Sequence, residues 1–162
     1  MILSSGKLDN MNINEIVHIT SGLTKNKFET LKIDLTLFEN GSKKGFEKYN
    51  KYIKENVNKE YGVYIFFDNQ KNTPIYIGMA GKLNRNSQPG DQTLDERLTN
   101  ATRKDTPTKK WVFDLMKEHN IEQLFIYVFY ANPNIPAAYI EAILLFEFYK
   151  KYKIIPIENS EF

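Results

Sequence analysis

The sequence predicts an α+β fold: a small, mainly antiparallel β-sheet of three strands, flanked by helices. Three observations carry that expectation. The runs "YGVYIFFD" and "PIYIGMA", rich in β-branched and aromatic residues, are separated only by the polar "NQKNT" and therefore read as a hairpin. Apolar residues at helical spacing follow in "LDERLTNATRK" and "TKKWVFDLMKEH". The continuous apolar run "QLFIYVFYA", of the kind found at a sheet centre, then leads into one more helix.

Taken in chain order, "KFETLKIDLTLF" shows mixed alternation and reads as a strand, while "SKKGFEKYNKYIKEN" places Phe46, Tyr49 and Ile53 on one side of an amphipathic helix. Residues 1–60 are read as an N-terminal extension that packs on or precedes a domain spanning 61–162. After the hairpin, "GKLNRNSQPGDQT" is a loop longer than the usual connection, with Pro-Gly at its centre. Thr93 and Glu96 match a capping box for the next helix, whose stripe is Leu94, Leu98 and Ala101. Arg97 lies on the border of that stripe, whereas Glu96 and Arg103 face away from it. The helix over 108–119 turns Val112, Leu115 and Met116 inward and ends before Asn120. "PAAYIEAILLFEFYKKY", 136 to 152, is a helix opened by Pro136, and the tail "KIIPIENSEF" offers a short extended piece.

Composition bounds the function. The chain has 162 residues and a hydrophobic share of 41%, enough for one domain with a real core. A net charge of +2 does not announce nucleic-acid binding, so a basic footprint has to come from local clustering. With no cysteine, disulfides, thiolate catalysis and cysteine-ligated metals are excluded. The apolar runs are too short for a signal peptide or a bilayer span, which reads as a soluble, cytoplasmic protein with no membrane partner.

Two glutamates of the last helix differ in kind. Glu147 has Lys151 four positions on, the order expected of a solvated helical pair. Glu141 instead has Ala137, Ala138, Leu144 and Leu145 as its helical neighbours. A buried carboxylate without compensation costs several kcal/mol or takes up a proton. Either a guanidinium or backbone amide satisfies it, or a metal does.

"GVY" at 62–64 and "YIG" at 76–78, eleven residues apart on adjacent strands, resemble the two halves of the signature of the GIY-YIG nucleases. Arg97, Glu141 and Asn159 follow in the order that family uses, and the resemblance covers about residues 61–160. It implies a catalytic domain over 61–162, with Tyr64, Tyr76, Arg97, Glu141 and Asn159 as catalytic residues. It further implies a divalent-metal-dependent DNA endonuclease, with Glu141 as the metal ligand. Mg²⁺, or Mn²⁺ in its place, keeps most of its water and takes one or two carboxylates plus phosphate oxygens, so a single glutamate suffices. No second acid is suitably placed, which favours one metal per site over two.

By this resemblance Tyr64 orients or deprotonates the attacking water, and Arg97 with Tyr76 holds the scissile phosphate. Each residue also has a plainer reading: packed tyrosines, an arginine stem over apolar surface, and an asparagine capping a loop. An even-sum hairpin register is expected, which puts Tyr64 and Tyr76 on one sheet face. Gly62 opens the first strand, and Gly78 leaves room for a backbone or a phosphate. Many family members carry His or Tyr where this chain has Ala101, so Lys82, His119 or a tyrosine takes that role, or activity is weak. His119 by itself reads as a helix-end residue facing the dipole. Lys82, Arg85, Arg103, Lys104, Lys109 and Lys110 cluster around the expected site; they read as a solvated face or as DNA-backbone contacts. Arg103 serves as the example of an ordinary solvated arginine. The loop at 82–93 and the N-terminal third are the candidates for reading bases. The rivals are a nucleic-acid-binding module without the reaction and a structural domain whose Glu141 is held in a salt bridge. With one site per chain, cutting both strands takes a homodimer or two sequential nicks.

Overall fold

The computed structural model describes residues 11–86, 90 and 92–160. Helix α1 (Ile13–Thr20) precedes strand β1 (Thr24–Asp34), a 3₁₀ segment (Leu35–Gly41) and helix α2 (Lys43–Asn56). The hairpin β2 (Gly62–Asp68) and β3 (Thr73–Ala80) follows, then the short helix α3 (Leu94–Arg97). A two-residue ladder, β4 (Thr102–Arg103) with β5 (Thr106–Pro107), leads to α4 (Thr108–Glu118), β6 (Gln123–Ala131) and α5 (Ala137–Tyr152).

The α+β class holds, but the main sheet has four strands rather than three, in the order β1-β6-β2-β3, all antiparallel. The additional strand is β1. Leu31 and Ile33 pair with Ile126 and Leu124 and enter the same core, so this segment of the N-terminal third is built into the sheet.

Alternation along the strands produces two buried faces. One carries Tyr64, Phe66, Tyr76, Ile126 and Val128, covered by α2, α3 and α4 through Tyr49, Ile53, Leu94, Leu98, Val112 and Met116. The other carries Val63, Ile65, Ile77 and Phe129, covered by α5 through Ile140, Leu144, Leu145 and Phe148, with Ile16 of α1 beside it. The sheet is therefore sandwiched between helices. Among the described residues no helix is long and apolar enough to cross a membrane.

Two helical expectations need correction. The helix expected to run from Leu94 past Arg103 ends at Arg97, with Leu98 as its cap. The Thr99 hydroxyl turns back onto the Asp95 carbonyl (2.8 Å), and the Ala101 carbonyl accepts from both the amide and the hydroxyl of Thr108 (2.9 Å each). Side chains that bond their own backbone compete with helix propagation, and here they win. Glu147 pairs with Lys150 (3.1 Å) rather than Lys151, whose ammonium goes instead to Glu15 on α1 (2.8 Å). Through residue 160 the tail forms no strand. It lies against the open side of β3 all the same, where the Glu158 amide donates to the Ile75 carbonyl (3.0 Å).

Candidate active site

Tyr64 and Tyr76 share a face because Tyr64 stands opposite Gly78 and Phe66 opposite Tyr76, the expected even-sum register. Their ring centroids are 5.9 Å apart, and both rings are buried, at 2% and 8% exposure. Gly78 makes this possible. A Cβ there would stand 2.6 Å from the Tyr76 ring and 2.7 Å from the Tyr64 hydroxyl oxygen, so the two tyrosines fill the space above it. Gly62 answers a different constraint, since its Cβ would strike the Phe129 carbonyl of β6 at 2.0 Å.

β3 is the edge strand, and around that edge the two faces of the sheet meet. Glu141 comes from α5 on one side and Tyr76 from the other, and both line a groove of about 280 Å³ together with Arg103, Lys104, Leu145, Asn159 and Ser160. A second groove of about 290 Å³ is lined by Arg97 with Lys82, Gln92 and Met79 to Gly81. Arg97 does not line the Glu141 groove and Tyr64 lines neither, but the charge of Arg97 acts on both Tyr64 and Glu141, pulling the pKa of each down. In each case burial pushes harder the other way. The Glu141 carboxyl is raised from its ordinary 4.5 to about 6, by burial first, with Arg97 opposing. Tyr64 is driven well above the usual tyrosine range by burial, then by Tyr76, against the pull of Arg97.

Glu141 is the informative group. Among the described residues no Lys, Arg or His comes within ion-pair distance of it. A half-buried carboxylate facing a polar groove, with a guanidinium near but not joined to it, has the donor chemistry that a hydrated hard cation needs. Among the described residues the groove supplies no other carboxylate, which suits an ion that retains its water.

Asn159 is tied elsewhere. Its carbonyl oxygen accepts from the Ile77 amide (3.0 Å) and its amide nitrogen donates to the Ile77 carbonyl (2.9 Å), so it pairs with β3 as a strand residue would. It walls the groove while securing the sheet edge.

Arg103 is not a solvated arginine facing away from the site. The early end of α3 sends the chain into the β4–β5 turn, where Lys104 and Asp105 both take positive φ (47° and 65°), the hairpin geometry with two left-handed residues. Arg103 is thereby laid between two aromatic faces, its guanidinium carbon 4.4 Å from the Tyr76 centroid and 4.1 Å from that of Trp111. Nη2 donates to the Glu158 carbonyl (2.9 Å), whereas Nη1 is buried and has no hydrogen-bond partner among the described residues.

Comparisons with family models, with curated proteins and with solved structures find no match.

The remaining basic residues divide. Lys82 borders the Arg97 groove and Lys104 the Glu141 groove. Arg85 is exposed and lines neither, Lys109 bonds Asn100 (3.1 Å), and Lys110 is paired with Asp114 (2.6 Å). Ala101 is 7% exposed, its carbonyl spent on Thr108. His119 caps the end of α4 and meets Glu158 (Nε2 to Oε1, 2.7 Å), which ties the tail down. With Glu118 these two form a compact acid and histidine group that excludes Glu141. Of the loop proposed to read bases, residues 87–89 and 91 lie outside the described residues.

Trp111 and Ser160 were not anticipated from sequence. The signal for Trp111 was its being the chain's single tryptophan, at the start of a helix next to a basic, turn-forming stretch.

Proposed function

We propose that this protein is a divalent-metal-dependent endonuclease with a GIY-YIG-like catalytic centre, hydrolysing DNA phosphodiester bonds with one metal per site. The observation that carries this reading is the groove at the edge of β3. Tyr76 and Glu141, which has no ion-pair partner among the described residues, line it together, and the charge of Arg97 acts on both Glu141 and Tyr64.

Glu141 would hold Mg²⁺ or Mn²⁺, which when bound supplies positive charge against the phosphate oxygens and the leaving oxygen. The chain's own residues do the rest. Arg97, a permanent planar cation, holds a nonbridging phosphate oxygen and offsets charge as it develops. Tyr76 donates its hydroxyl to the same group. Tyr64, kept protonated by its burial, orients the attacking water as a hydrogen-bond donor and acceptor rather than as a phenolate. Water adds to phosphorus and gives its proton to solvent, while the ester P–O bond breaks and its oxygen leaves as an alkoxide that takes up a proton from solvent. One site per chain means that a double-strand break takes a homodimer or two nicks in succession.

The second reading is a DNA-binding module of the same architecture without turnover. It is favoured by Ala101, which places no proton-transfer group where the resembling family has His or Tyr, and by the raised pKa of Tyr64. Incubation of supercoiled plasmid with the protein and Mg²⁺ or Mn²⁺ separates the two. Conversion to nicked circles that disappears in Glu141→Gln and Arg97→Ala supports the nuclease. Retarded migration without nicking supports the binding module, and the absence of both nicking and retardation leaves the groove a structural role.

A further inference from the structure

We infer that Arg103 is a second phosphate-binding guanidinium of the Glu141 groove, set in advance by an aromatic clamp. The inference rests on reading that groove as a phosphodiester site, and it gives one of the basic residues read from sequence as DNA-backbone contacts a definite place and geometry.

The clamp holds the guanidinium between Tyr76 and Trp111 at 4.4 and 4.1 Å. Stacking on two faces leaves the donors in the guanidinium plane as the groups able to reach a ligand. One of these, Nη2, is committed to the Glu158 carbonyl, while Nη1 has no acceptor among the described residues and is closed off from solvent, so a ligand meets it only as the groove wall gives way. A charged donor kept from water without an acceptor is costly, and folded proteins rarely retain one without use for it. Among the described residues the same groove carries Arg103 and Lys104 against one acid, Glu141, so that part of its wall bears an excess of positive charge next to the proposed metal ligand. A phosphate diester matches that arrangement, with an oxygen for the planar fork and negative charge for both cations.

Tyr76 thereby has two partners, the substrate on its hydroxyl and Arg103 on its ring. Trp111 becomes a built-in reporter, being the only tryptophan in the chain.

The test uses a fluorescently labelled short DNA duplex in EDTA, so that binding is read without cleavage. Anisotropy gives the affinity at several salt concentrations, Trp111 emission shows whether the duplex reaches the clamp, and a thermal melt accompanies each variant. Arg103→Met keeps a long apolar stem for the aromatic faces. It is expected to melt as a folded protein, to bind roughly tenfold or more weakly, the loss of one charge-assisted hydrogen bond, and to lower the salt slope by about one. Arg103→Lys, with charge but no fork, falls between. A folded Arg103→Met variant with unchanged affinity and slope overturns the inference. Should that variant fail to fold, Arg103→Lys decides: several-fold weaker binding supports the inference, and wild-type affinity overturns it. Absence of saturable binding by the wild-type protein overturns it as well. The nuclease reading fails separately, if plasmid stays intact with Mg²⁺ while Arg103-dependent binding persists.

Discussion

At the scale of single residues, the groove depends on one side chain that is missing and one that is uncompensated. A methyl group at position 78 would crowd Tyr64 and Tyr76 at 2.6–2.7 Å. Gly78→Ala is therefore expected to cost about 1–3 kcal/mol of stability and to displace both hydroxyls. Turnover should fall by about 100-fold, the scale seen when reacting groups are misplaced by an ångström, as kcat and a thermal melt on the same preparation will show. Glu141 predicts a pH dependence whose sign follows from its pKa. The folded apo protein retains a proton up to about pH 6 that an unfolded chain releases near 4.5, so folding is favoured most below 4.5 and that contribution is lost as pH rises through about 6. The loss is at most about 2 kcal/mol, less whatever solvent screens. Glu141→Gln should then melt at or above the wild-type temperature at neutral pH, with the difference shrinking on acidification, and Mg²⁺ should raise the melting temperature of the wild type alone. A marked loss of stability in the apo variant would sink the metal-ligand role, because it would mean that an internal partner had been orphaned.

Among the elements, α3 is the least secure by itself. A helix of four residues has no intrinsic stability. It is held from outside: the Glu60 carbonyl accepts from the Leu94 amide (2.9 Å), and the Tyr49 hydroxyl of α2 donates to the Leu98 carbonyl (2.8 Å). Arg97 therefore owes its position to residues that precede the hairpin. Tyr49→Phe leaves that carbonyl buried without its donor and is expected to lower stability by about 1–3 kcal/mol, a drop readable from the denaturant midpoint. It should also lower kcat through Arg97 while leaving duplex affinity near wild type. Hairpin β2–β3 was readable in sequence because two runs rich in β-branched and aromatic residues flank a short polar turn, and helix α5 because its apolar run is opened by Pro136 and is too long for a strand. The ends of α3 were not, because its termination depends on Thr108, a residue nine positions beyond Thr99 that no local pattern connects to it.

For the molecule as a whole, the described residues before Tyr61, from 11 on, are part of the same body. β1 pairs with β6 from Phe28 to Asp34 and again at Thr24, and Tyr49, Ile53 and Val57 share one core with Leu94, Val112 and Tyr130. Expression of residues 61–162 alone is expected to yield a chain without cooperative unfolding, seen by circular dichroism and a melt, since it would expose one side of β6 and a large apolar face. At the other end, Asn159 and the Glu158 amide occupy the free side of β3. Asn159→Ala removes two hydrogen bonds from Ile77 and is expected to speed amide exchange in β3 before it affects global stability.

What the sequence determined by itself was local: the hairpin and its register, the strand over 123–131, helices α2, α4 and α5, and the odd position of Glu141 in an apolar stretch. Periodicity and turn chemistry act between neighbours in the chain, and so they can be read from it. Only the tertiary structure decided that β1 completes the sheet, that Arg103 lies in an aromatic clamp rather than in water, that Asn159 is paired with β3, and that the tail closes the edge. Each of these depends on backbone and side-chain donors meeting acceptors from distant segments, a match of position that arises only when the two faces of the sheet are packed.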